Sequence, residues 1–172
     1  EEETNDNGKV KAGDLEVVAS ASSSKVLANG TSDMDTLTFK SSEEVEITKV
    51  IIERYGYSTN DDVAEVWLEN EDGTIIAKPR SLDSKGQAKL SIKKDYRIID
   101  GTYNATIVLS AKGSAGKTIG FKVVSAVSTA ENQELDKSGY TPYTYDMVWY
   151  DAVNVSIDPR GNSKDYNYEE GE

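Results

Sequence analysis

Short apolar runs that alternate every second residue, cut by turn residues at intervals of about 8–12, constrain this chain more than any other feature. Ala88, Leu90 and Ile92 alternate with Lys89, Ser91 and Lys93, while Tyr103, Ala105, Ile107 and Leu109 keep one parity through 102–110. Successive side chains of a strand point to opposite faces, so such runs bury one face and wet the other. Strands are expected at 14–21, around Leu37 and Phe39, and at 45–55, 63–69, 74–78, 88–93, 102–110, 119–123 and 148–157. Within 45–55 the apolar positions change parity, from Val45 and Ile47 to Val50 and Ile52, which predicts a bulge near Thr48 and Lys49 or burial on both faces. Only 128–139, "STAENQELDKSG", offers a helix, about two turns with Ser128 or Thr129 as N-cap and Gly139 as terminator.

The expected fold is all-β: a single antiparallel β-sandwich over 14–157, Ig-like or jelly-roll-like, with about eight or nine strands. Residues 1–13, "EEETNDNGKVKAG", read as an extended N-terminal tail, and 158–172 as an acidic C-terminal tail. The core is expected to contain Leu15, Val17, Phe39, Val45, Ile47, Val66, Leu68, Leu90, Ile92, Ile107, Leu109, Phe121 and Val123.

The stretch "VWLENEDGTIIA" (66–77) raises the first question of chemistry, because "ENEDG" can be read as a turn or as a cation loop. A helix-loop-helix calcium loop needs oxygen ligands at positions 1, 3 and 5, Gly at 6 and Glu at 12. Counted from Asn70, Asp72 and Thr74 follow in step, but Ile75 takes the Gly position and Ser81 the Glu position. Asp-Gly between two apolar runs is a strong hairpin signal, since Gly adopts positive φ at little cost. A hairpin is expected.

Composition removes whole classes of function. The chain has no Cys and no His, so it holds no disulfide, no thiolate metal site and no imidazole base. Thirty-one acidic against 19 basic residues leave a net charge of −12, which opposes binding to nucleic acid. No apolar run reaches the roughly 18 residues of a membrane helix. The sequence opens on Glu1 rather than Met, which suits a secreted chain whose leader has been removed.

Carboxylates cluster at Asp33 with Asp35 and at Asp61 with Asp62, in segments read as loops. These four are the candidate calcium ligands, calcium being the hard cation that an all-oxygen set suits; no cofactor is otherwise expected. Asp61 with Asp62, or Asp146 with Asp151, could supply two carboxylates for glycoside hydrolysis, but no motif orders them, and the chain is expected not to be an enzyme.

The segment 140–150, "YTPYTYDMVWY", crowds Tyr140, Tyr143, Tyr145, Trp149 and Tyr150 into eleven residues. Such rings serve core packing, sugar stacking or a protein contact, and sequence leaves the three open. As contact residues they would be joined by Val10 of the N-terminal tail, because charged tails order only when something ties them down, a neighbouring copy being the plainest anchor.

In chain order, "DLEVVASASSSKVLANG", "DTLTFKSSEEVEITKVIIERYGYS", "DVAEVWLENEDGTIIAKPRSLDSKGQAKLSI", "IIDGTYNATIVLSA" and "IGFKVVSAVS" resemble an Ig-like β-sandwich module that recurs in large cell-surface and surface-layer-like proteins of bacteria and archaea. The resemblance covers 14–128 and implies a sandwich, an extracellular address and a structural or adhesive role, with no catalytic residues to carry over. The expected function is therefore a self-associating structural subunit of a surface filament or layer. The alternative is a carbohydrate-binding or adhesin module that takes glycans, with or without calcium.

Overall fold

β-branched and alternating runs form strands wherever the sequence supplies them, and turns rich in Asx and Gly reverse the chain between them. The computed structural model describes residues 14–21, 23–136 and 140–147. They form β1 (Asp14–Ser20), β2 (Lys25–Leu27), β3 (Thr31–Ser41), β4 (Val45–Tyr55), β5 (Val63–Asn70), β6 (Ile75–Arg80), β7 (Gln87–Ser91), β8 (Ile98–Ile99), β9 (Thr102–Ala111), β10 (Thr118–Ser128), β11 (Asn132–Asp136) and β12 (Tyr143–Asp146). Two sheets pack face to face. One has the order β11-β1-β3-β9-β5-β6; the other runs β2-β12-β10-β4-β7, with β8 also on β4.

The core lies between the sheets, and all thirteen positions expected there are buried. Removing one such side chain from water contributes roughly 1.5–3 kcal/mol. The parity change in β4 is a bulge: Val127 pairs with Lys49 and Ser128 with Ile47, leaving Thr48 as the extra residue. The "ENEDG" stretch is a hairpin turn between β5 and β6. Asn70 Oδ1 accepts the amides of Asp72 and Thr74, and Gly73 sits at φ 82°.

Four expectations are corrected. The helix at 128–139 is replaced, over its described part, by the end of β10 and by β11, which pairs in parallel with β1. Its polar residues meet strand neighbours instead: Gln133 uses its amide to bond both the N–H and the C=O of Ala126, at 2.9 and 2.7 Å. The sheets are mixed rather than purely antiparallel, since β2 and β12 also pair in parallel. The described residues hold twelve strands instead of eight or nine, because β2, β8, β11 and β12 are too short to show a period. Asp33 and Asp35 lie on β3, not in a loop. The expected tails at 1–13 and 158–172 and the strand at 148–157 lie outside the described residues.

Candidate functional site

The tyrosine-rich segment is divided by burial. Tyr143 and Tyr145 alternate inward from β12, at 0 % and 1 % exposure. Their rings belong to the core, so packing is the reading the structure supports for these two, and a sugar platform or partner contact loses them. Tyr140 is half-buried, and its hydroxyl accepts the Val123 amide at 3.0 Å. Trp149, Tyr150 and Val10 lie outside the described residues.

The hydroxyls of Tyr143 and Tyr145 each meet one of the aspartates singled out above. Between Asp33 and Thr36 the register of β3 against β9 slips, and the bulge turns Asp35 into the core at 1 % exposure. Tyr143 donates to Asp35 Oδ1 at 2.9 Å. Burial pushes the Asp35 carboxyl up to about 6, against the lowering effect of that hydrogen bond. Beside it, the Tyr55 ring covers Gly120, where an added Cβ would stand 2.4 Å from the ring. Burial first, and then the fields of Asp35, Tyr140 and Tyr143, push the Tyr55 phenol up to about 12. Its hydroxyl has no hydrogen-bond partner among the described residues.

Asp62 ends a 3-10 turn at Asn60–Asp62 and reaches back to the Thr59 amide at 2.7 Å. Lys117 Nζ stands 2.8 Å from its other oxygen, and Tyr145 donates to its carbonyl. Burial pushes this carboxyl up, but the Lys117 ammonium and the Thr59 donors outweigh it and hold it below 3.8. Asp33 and Asp61 are exposed on separate elements. The four aspartates do not converge, and among the described residues no three carboxylates gather as a metal site. Of the pairs considered for glycoside hydrolysis, Asp61 is exposed beside the buried Asp62, and Asp151 lies outside the described residues.

Two surface features were missed by sequence reasoning. The first is a cleft of about 440 Å³ where β6 and β7 part, lined by Lys78, Pro79, Arg80, Ser91, Ile92, Lys93 and Arg97. Just past β7, Ile92 bridges Ala77, and the Lys93 amide donates to the Ile76 carbonyl. An adjoining hollow of about 310 Å³ shares Arg80 and Ser91 and adds Lys49 and Lys89. A legible signal existed: residues 77–97 hold seven of the nineteen basic residues of an acidic chain.

The second is the β2 border. Parallel pairing spends the Ser24 carbonyl and Ala28 amide on β12, so alternation turns the Lys25 and Leu27 backbone groups outward. Serine hydroxyls stand in for a neighbouring strand. Ser23 Oγ bonds the Lys25 amide and carbonyl at 2.9 and 3.0 Å, and Ser32 Oγ accepts the Leu27 amide at 2.9 Å. Leu27 is 36 % exposed and Met147, at the end of β12, 50 %.

No family model and no curated protein matches the chain. Among solved structures it is similar to BslA, a bacterial hydrophobin, at 12% identity over 80% of this chain and 95% of that one, with a TM-score of 0.31. It is similar also to self-complemented MyfA, the major subunit of Myf fimbriae from Yersinia enterocolitica, at 13% identity over 77% and 97%, with a TM-score of 0.28. Both are bacterial proteins; overlaps this loose carry no argument about role, which rests on the residues themselves.

Proposed function

We propose that this chain is a non-enzymatic structural subunit of an extracellular assembly, a surface filament or layer, and that it associates with copies of itself. The observation that carries the reading is the β2 border. An outer strand invites edge-to-edge pairing unless charge, proline or a covering element blunts it. β6 carries Lys78, Pro79 and Arg80, and β11 carries Glu134 and Asp136 with Glu131 just before it. Among the described residues β2 lacks such protection: its Lys25 is drawn to Asp146 at 3.4 Å, and Leu27 with Met147 leaves an apolar strip. A docking copy exchanges hydroxyl caps for backbone partners and covers that strip.

The extracellular address is supported by the resemblance to cell-surface modules. Tyr140, with Trp149, Tyr150 and Val10, completes the contact in this reading, and assembly needs neither calcium nor glycan. The test is light scattering with negative-stain imaging of the full chain, with and without EDTA. Polymers or sheets are expected under both conditions. Leu27→Asp is expected to weaken association at least tenfold while leaving the thermal melt of the subunit in place. A chain that stays monomeric at high concentration refutes the reading.

A further inference from the structure

We propose that the cationic cleft between β6 and β7 receives the acidic segment 165–172, "DYNYEEGE", of a second copy of this chain. The inference rests on the self-association reading above and names its second contact. Lys49, Lys78, Arg80, Lys89, Lys93 and Arg97 gather around the cleft and its adjoining hollow. None of them forms an ion pair with a described residue. The one lining carboxylate, Asp83, is held by the amides of Lys85 and Gln87 at 2.8 and 3.0 Å, in the turn before β7. Crowding like charges on a chain of net charge −12 is unfavourable unless an anion answers them.

The chemistry of the cleft defines what fits. Pro79 has no N–H, and the Lys93 amide is already spent on Ile76, so the walls offer little backbone for an added strand. Recognition runs through side chains. Arg97 Nε donates to the Ile92 carbonyl at 2.7 Å, which fixes its plane and leaves its terminal N–H groups for a carboxylate. Segment 165–172 supplies Asp165, Glu169, Glu170 and Glu172 with no cation among them, and Tyr166 and Tyr168 suit stacking on guanidinium.

Topology favours a second copy. β7 and β6 lie at the borders opposite β2 and β11. The described residues end at Met147 beside β2, on the border opposite the cleft. A tail of one copy seated in the cleft of the next is a heterologous contact, and when it does not close into a ring it propagates a filament.

The test mixes full-length chains of natural and heavy nitrogen and treats them with a zero-length carbodiimide. Expected are mixed-isotope amide links from Glu169 or Glu170 to Lys78 or Lys93. Arg80→Glu with Lys93→Glu should weaken association about tenfold, and adding Glu169→Lys with Glu170→Lys in the same chain should restore it. Links confined to single chains overturn the choice of occupant. Polymers that form without such links and ignore the Arg80 and Lys93 changes overturn this inference and leave the structural-subunit reading standing. A chain that never associates overturns both.

Discussion

Where β12 enters the sandwich, ionisable groups are buried and spoken for: Tyr143 on Asp35, Lys117 and Thr59 on Asp62, Tyr145 on the Asp62 carbonyl. Where β6 parts from β7, cations stand at the surface with no ion pair among the described residues. The first region spends its polar chemistry on holding one body together. The second holds its charge in reserve. In a chain without a histidine or cysteine, this contrast separates residues that specify the fold from residues left for a partner.

The contrast breaks most readily at β12. Tyr145→Ala removes a fully buried ring and its hydrogen bond, and is expected to cost about 4 kcal/mol, a large share of the roughly 5–15 kcal/mol of a typical domain. The urea midpoint measures it; a shift worth less than about 1 kcal/mol would place the ring outside the core.

The next effect is a dependence on pH. The Asp35 carboxyl titrates at about 6 in the fold and at its ordinary 3.8 when unfolded. Between these values the folded state binds more protons, so stability is highest on the acid side and falls as pH rises, by about 3 kcal/mol in all. Asp62 acts oppositely and below that window, because its folded value is depressed and its contribution is lost only as pH falls past 3.8. Asp35→Asn, which keeps an acceptor for Tyr143, should flatten the profile between pH 4 and 6 and raise stability at pH 7. An unchanged slope would assign the dependence elsewhere.

The smallest effect sharpens the other side. Arg80→Ala should move the unfolding free energy by no more than about 0.5 kcal/mol, since its charge has no ion-pair partner among the described residues. A loss above 1 kcal/mol would make the cleft part of the fold's own framework.

What sequence disclosed follows from length and period. Leu15, Val17, Ile107 and Leu109 sit in runs long enough to keep a parity, and the core positions read from such runs are buried. The change of parity in β4 pointed to a bulge near Thr48 and Lys49 or to burial on both faces, and the extra residue is Thr48, because an extra residue shifts every later side chain. β2, with three residues, and β12, with four, carry no period, and their partners lie far off in the chain. Asp35 is instructive: two aspartates flanking Met34 read as solvated, and only the slip against β9 turns the second of them inward beside Tyr143. The cationic cleft needed the reversal between β6 and β7 to bring Lys78 and Lys93 together, although the local crowd of basic residues was in plain view.

Both parallel pairs join the start of the chain to its far end, Asp14 to Asn132 and Lys25 to Thr144. Neither sheet can be finished until nearly the whole described chain has been synthesised, and loops of this span close slowly. A nascent chain therefore keeps both layers incomplete until β11 and β12 have been made, and the borders of β1 and β2 stay open to wrong partners until then.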